Sequence, residues 1–261
     1  MIHALVRGVS PAMNRCELTH RSREPIDIER AAAQHRAYVE ALRALGCRVQ
    51  ELPAEPNLPD SVFVEDTAVI VEPAVVVTRP GAVSRRGETD SVRDALCRHL
   101  EVRCMDAPAT LDGGDVLRVG RTLYVGASER TNAAGIEQLR GLAAPHGYEV
   151  VTVAVSGCLH LKSAVTEVAP GRLLANRDRI DTTAFRECDW IDVDPREPGA
   201  ANGLRVQGVV LFPTAFPRTA ERLERAGIAL RRLDLSELEK AEGAVTCCSL
   251  LWRGKAAPLA W

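Results

Sequence analysis

The chain has 261 residues, and its 33 basic and 35 acidic side chains are interspersed along it to a formal net charge of −2. That balance excludes partners captured by bulk charge, so neither nucleic acid nor an anionic membrane is expected to bind. Eight cysteines fall without the regular short spacings of a disulfide scaffold or a zinc site, which points to reduced thiols and a cytoplasmic protein. The apolar start, Met1-Ile-His-Ala-Leu-Val-Arg7, is too short for a signal peptide, and no later run approaches the roughly 20 apolar residues of a membrane span.

In chain order, short β-branched runs predict strands at residues 2–6, 68–71, 75–78, 116–119, 122–125, 150–155, 165–168, 172–175, 205–212 and 250–252. Helical patterns lie between groups of them, at 27–45, 88–100, 131–144, 217–226 and 236–241. Gly46 and Gly227 stand where helices commonly stop. Turn signals such as Glu72-Pro73, Arg118-Val-Gly-Arg121 and Ala169-Pro-Gly-Arg172 join neighbouring strands. The rhythm of two or three strands and then a helix, about every fifty residues, suggests an α/β repeat closed into a ring. The loop-like stretches at 53–59 and 194–203 are too short to divide the chain, so a single domain over residues 1–261 is expected.

Chemistry concentrates in a few segments. Cys247 and Cys248 sit at the mouth of an apolar run, where a thiol suggests a nucleophile. Asp60, Glu65 and Asp66 crowd carboxylates around the apolar Val62, Phe63 and Val64, and close, partly desolvated carboxylates favour a planar cation such as guanidinium. Asp112 precedes Gly113-Gly114, a tight turn whose backbone can approach a ligand closely. His160, within Leu159-His-Leu-Lys162, supplies an imidazole for proton transfer near neutral pH. Arg85, Arg86 and Arg130 stand just before helical patterns, where a carboxylate is favoured. Each piece alone is ordinary: a solvated acidic loop, a turn, a core histidine, surface arginines, buried small thiols.

Their order is not ordinary. Pro59-Asp-Ser-Val-Phe-Val-Glu-Asp66, Ser84-Arg-Arg86, Thr110-Leu-Asp-Gly-Gly-Asp115, Arg130-Thr-Asn132, Leu159-His-Leu-Lys162 and Thr246-Cys-Cys-Ser249 follow one another as they do in dimethylarginine dimethylaminohydrolases. The chain resembles that family from its first strand to about Trp252. The resemblance implies the pentein fold, a five-bladed α/β propeller of ββαβ-type units around a pseudo-fivefold axis. It implies hydrolysis of N-omega-methylated arginine to citrulline and an amine, with a small-molecule substrate and with no metal or organic cofactor. Cys247 would be the nucleophile, His160 the general acid and base, and Asp112 the carboxylate holding the guanidinium opposite the thiol. Asp60, Glu65 and Asp66 would complete the acidic cage around it, close to Phe63, and orient His160. Arg85 and Arg130 would hold the substrate's α-carboxylate, and the carbonyls of Leu18 and Ala241 its α-amino group.

Other readings stand beside this one. An arginine deiminase or an amidinotransferase would use the same cage, although those chains are usually longer, and a non-catalytic pentein would bind a partner without needing the thiol, imidazole and acids together. A homodimer is an open alternative for its assembly. Residues 14–24, polar and charged, form a candidate lid because Leu18 lies within them. The match weakens at 177–198 and after Trp252. Ala200-Ala-Asn202 resembles a family motif in which a cysteine commonly follows, and Gly203 takes that place here.

Overall fold

The computed structural model describes residues 1–254, so the closing segment from residue 255, for which the sequence offered no pattern, lies outside the described residues. The chain opens with strand β1 (Ile2–Arg7), helix α1 (Ile28–Ala44) and strand β2 (Cys47–Leu52). A second unit holds β3 (Ala68–Val71), β4 (Ala74–Val77), α2 (Thr89–Leu96) and β5 (Glu101–Cys104), and a third β6 (Val116–Val119), β7 (Thr122–Ala127), α3 (Ala133–Ala143) and β8 (Glu149–Ala154). The fourth has β9 (Val165–Ala169), β10 (Arg172–Ala175) and β11 (Asp189–Asp192); the fifth has β12 (Leu204–Val206), β13 (Val209–Pro213), α4 (Pro217–Arg225) and β14 (Ala229–Leu233). A short helix, α5 (Ser236–Glu239), and a last strand, β15 (Leu250–Arg253), complete the described chain.

Among the described residues the strands form five three-stranded sheets built alike: an antiparallel pair, then a third strand parallel to the middle one. In the first sheet β15 supplies the antiparallel partner of β1, so the chain's end closes the ring on its beginning. Five buried apolar clusters hold it together, each shared by two neighbouring units. Leu5, Val75 and Leu250 join the first unit to the second, Val76 and Leu123 the second to the third, Tyr124 and Leu173 the third to the fourth, Leu174 and Phe212 the fourth to the fifth, and Tyr38 and Leu211 the fifth back to the first. A unit cannot bury the faces of its small sheet alone, so each depends on both of its neighbours. No described helix is long and apolar enough to cross a membrane.

Several boundaries differ from the sequence expectation. The apolar run 205–212 is not one strand but the hairpin β12–β13, turned at Gln207-Gly208 with φ of 50° and 84°. Helix α2 stops at Leu96, short of the expected 100. In the fourth unit the crossover helix is replaced by two single turns at Arg177–Arg179 and Thr182–Ala184, which is where the match to the family pattern weakened. Caps fix the other helices: the Asp27 carboxylate accepts from Arg30 N–H at the start of α1, and the Asn132 side chain accepts from Gly135 N–H at the start of α3.

Candidate active site

The acidic segment after β2 turns into one helical turn, Val64–Thr67, that aims Glu65 and Asp66 in different directions. Asp66 lies 3% exposed, and one of its oxygens accepts from Gly114 N–H (2.9 Å) while the other accepts from Arg85 Nη1 (2.6 Å). Arg85 is buried too, and it also donates to Glu88 (2.9 Å) and to the carbonyl of Phe63 (3.1 Å). Its charge therefore neutralises an acid pair that water cannot reach.

His160 stands between two carboxylates. Its Nε2 is 3.0 Å from Asp112 Oδ2 and its Nδ1 is 3.9 Å from Asp66 Oδ1. The second oxygen of Asp112 accepts from Gly81 N–H (2.9 Å), so this fully buried acid has no free face. The turn bearing the imidazole is anchored by Asp115, which accepts from Leu161 N–H (2.9 Å) and from the Thr131 hydroxyl (2.7 Å). Burial disfavours the charged ring, but Asp66, the bond to Asp112 and the nearby Asp115 overcome it and push the His160 pKa up to about 9. In Asp66 burial is likewise overcome, by His160 and Arg85, which hold its carboxyl down at about 2.

The glycines of Asp112-Gly-Gly serve this packing. A Cβ on Gly114 would lie 2.6 Å from His160 Nδ1 and 2.8 Å from Asp66 Oδ1, and one on Gly113 would lie 2.0 Å from the carbonyl oxygen of Glu65. The close approach that the sequence suggested is thus to the protein's own base and acid.

The two adjacent thiols separate cleanly. Cys248 is fully buried, whereas Cys247 is half-buried and lines a cavity of about 20 Å³ together with His160, Asp66, Asp60, Phe63, Arg85, Arg130 and Ala241. Burial raises the Cys247 thiol well above its ordinary range, and the negative fields of Glu65 and Asp66 raise it further. The cavity has room for about one water, so the site is closed around its own side chains. Residues 14–24 lie over it: Asp60 accepts from Glu17 N–H (3.1 Å), Thr19 Oγ1 accepts from Arg130 (3.0 Å), and the Glu242 carboxylate accepts from the N–H groups of Thr19, His20 and Arg21 (3.0, 2.6 and 2.7 Å).

Three expected site residues are not on the cavity wall. Asp112 is behind His160; Glu65 is beneath the nucleophile, bound to Lys162 Nζ (2.5 Å) and to the Thr246 hydroxyl (2.6 Å); and Leu18 packs, half-buried, against the core. Conversely, Glu17, Leu159, Glu242 and Gly243 line the cavity and were not singled out as site residues. Only Gly243 has a rationale at one position: a Cβ there would lie 2.2 Å from Phe63 Cε1. The donor set best placed for a metal is Asp66, Asp112 and His160, whose ligand atoms lie within 4.8 Å of one another, but their oxygens already hold Arg85, Gly114 and Gly81.

Residues 10–188 match the family described as N,N dimethylarginine dimethylhydrolase, eukaryotic. The chain is 43% identical over 251 residues to an N(G),N(G)-dimethylarginine dimethylaminohydrolase of Streptomyces coelicolor, covering 96% of each. It belongs to the dimethylarginine dimethylaminohydrolase family. The family member of Pseudomonas aeruginosa is 36% identical over 226 residues, covering 86% of this chain and 89% of the relative. A cysteine-to-serine mutant of a Pseudomonas aeruginosa dimethylarginine dimethylaminohydrolase, solved in complex with citrulline, superposes with a TM-score of 0.91 at 33% identity, over 96% of this chain and 98% of that one. The N-terminal domain of a cyanobacterial arginine dihydrolase shares the propeller, with a TM-score of 0.82, at 20% identity. The dimethylarginine dimethylaminohydrolase fold, five ββαβ units around one axis, is therefore the fold of this chain, its fourth unit lacking the helix.

Proposed function

We propose that the protein hydrolyses N-omega-methylated arginine to citrulline and dimethylamine or methylamine. The observation that carries this reading is the convergence of one half-buried thiol, an imidazole held between carboxylates and the acidic side chains of Asp60 and Asp66 on a single cavity, in a chain of this family.

The guanidinium would lie against Asp66 and Asp60, which face the cavity. Asp112, given that part by the resemblance, is better suited to hold His160, because it lies behind the imidazole and off the cavity wall, with one oxygen on His160 Nε2 and the other on Gly81 N–H. Arg130, whose guanidinium among the described residues bonds only the Thr19 hydroxyl, has donors to spare for the substrate's α-carboxylate, with Arg85 adding its field from the same wall. The carbonyls of Leu18 and Ala241 remain the acceptors proposed for the α-amino group.

Before substrate arrives, the thiol is kept protonated by burial and by two acids. An arriving guanidinium offsets that negative field, lowering the cost of the thiolate, and the thiol releases its proton to solvent as the reactants meet. The sulfur attacks the central guanidinium carbon. The C–N bond to the methylated nitrogen then breaks, and His160, protonated at neutral pH, donates the proton that lets the amine leave. An S-alkylthiouronium remains on Cys247. The now neutral His160 takes a proton from water and hydroxide adds to the same carbon. As the hydroxyl of that adduct gives up its proton to solvent the C–S bond breaks, and citrulline leaves with the thiolate and the protonated His160 restored.

The test is citrulline release from asymmetric dimethylarginine, monomethylarginine and arginine by wild type, Cys247→Ser and Cys248→Ser. Preference for the methylated substrates is expected, with kcat lowered more than about 10³-fold in Cys247→Ser and little changed in Cys248→Ser. Preference for unmodified arginine would make the protein a deiminase, and the reverse ranking of the two variants would move the nucleophile to Cys248.

A further inference from the structure

The sequence motif Ala200-Ala-Asn202 touches the two reacting segments of the site through one side chain. Asn202, 6% exposed, precedes β12 and reaches both. Its Nδ2 donates to the carbonyl of Lys162 (3.0 Å) and to Thr246 Oγ1 (3.0 Å), and its Oδ1 accepts from Thr246 N–H (3.1 Å). The amide can face only one way, because the Lys162 partner is a pure acceptor and the Thr246 N–H a pure donor. Three of the four hydrogen-bonding directions of the amide are thus filled, by the Lys162 carbonyl, the Thr246 hydroxyl and the Thr246 N–H.

Both partners are one or two residues from the chemistry. Thr246 immediately precedes the nucleophile, and Lys162 lies in the turn Leu161–Ser163 that begins at His160, where Ser163 N–H donates to the His160 carbonyl (3.0 Å). The nucleophile segment is held from its other side as well: Glu65 N–H donates to the Cys247 carbonyl (3.1 Å), and the Glu65 carboxylate joins Thr246 Oγ1 to Lys162 Nζ. Asn202 is itself immobilised, since the Thr166 hydroxyl donates to the Ala201 carbonyl (2.7 Å) and accepts from Gly203 N–H (3.0 Å), gripping the backbone on both sides of it.

We infer that Asn202 is a positioning residue that sets the separation and orientation of Cys247 relative to His160, acting through Thr246 and the Lys162 carbonyl. This deepens the proposed reaction and rests on that reading. A thiol and an imidazole that must trade a proton and then a water need a fixed spacing, and a displacement near 1 Å is enough to lower the rate about 10²-fold. The substrate's contacts with Arg130, Asp60 and Phe63 do not pass through Asn202, so binding is spared.

The experiment is steady-state kinetics on Asn202→Ala and on the pair Thr246→Val and Thr246→Ser, with alkylation of Cys247 by iodoacetamide at pH 9 followed by mass. Asn202→Ala is expected to lose 10- to 100-fold in kcat with KM within about threefold. Thr246→Val should behave alike, and Thr246→Ser, which keeps the hydroxyl, should recover most of the rate. Alkylation in Asn202→Ala should rise at least about fivefold as the thiol leaves its buried seat. A folded Asn202→Ala with kcat within twofold of wild type overturns the inference. Should that variant not fold, equal rates in Thr246→Val and Thr246→Ser overturn it. Should wild type release no citrulline from any of the three arginines, the reaction reading fails, and alkylation decides the positioning role alone: a fivefold rise supports it and a change under twofold overturns it.

Discussion

At the catalytic end of the ring Asp66, Arg85, Glu88, Asp112 and His160 are all buried, and each is hydrogen-bonded to another of them. The other cavity on the axis is lined by the first strands of all five sheets, β3, β6, β9, β12 and β15, and encloses about 530 Å³. There Arg118, Arg121 and Arg253 are exposed, and the Arg205–Glu167 pair keeps its side chains 33% and 14% accessible. The Glu65–Lys162 pair belongs to this second cavity's lining and sits directly under the turn that carries Cys247. The two ends hold similar side chains in opposite solvent. Where water is excluded, each charge exists only because its partner does, and the field that results is what moves the pKa values of the base and the thiol. Where water enters, charges are close to independent of one another.

That contrast is broken or sharpened first by removing one buried charge. Arg85→Ala leaves Glu88 without a cation and Asp66 with only the His160 ring, and stability is expected to fall by about 3–5 kcal/mol, read from the midpoint and slope of urea unfolding. A loss below about 1 kcal/mol would mean that the acids simply take up protons at little cost, and the two ends would then differ less than their burial suggests.

The second test uses pH. The His160 ring has its pKa raised to about 9 in the folded protein against about 6.5 when unfolded. Below pH 6.5 both states carry the proton and the stabilisation is fully present; as pH rises through 9 the folded ring deprotonates and the stabilisation is lost. Melting temperature should therefore fall between pH 6.5 and 9.5 in wild type, and fall by less in His160→Gln. Parallel profiles for the two proteins would remove His160 as the source.

The same division between dry and wet surfaces explains what could be read from sequence. The first and middle strands of the sheets are buried and β-branched, as in Ala74–Val77 and Val209–Pro213, and their pattern announces them. The third strands β2, β5, β11 and β14 were missed, because each has a free edge and carries exposed charges: Arg48 and Glu51, Glu101 and Arg103, Asp189 and Asp192, Arg232. The equivalent β8 was legible because Val150 and Val153 are buried. At the site, the motif order brought Cys247, His160, Asp60 and Asp66 into view. Which acid stands behind the imidazole and which faces the cavity depends on side-chain direction across two units, and nothing local to Asp112 or Asp66 encodes that. Glu17 and Glu242 were invisible for a related reason: they belong to loops that meet 225 positions apart only after the ring closes.

The smallest effect is expected at the wet end. Arg205 donates to Glu167 at 2.7 Å, a shorter contact than the 2.9 Å between Arg85 and Glu88, so a ranking by distance alone would put the Arg205 pair first. Solvation ranks them differently: water can replace Arg205 around Glu167, and no water reaches Glu88. Arg205→Ala should thus cost no more than about 1 kcal/mol, measured by the same urea unfolding as Arg85→Ala, and should leave citrulline release unchanged. A cost matching that of Arg85→Ala would show that the axial cavity is as dry as the active site, and burial would then no longer separate the two ends.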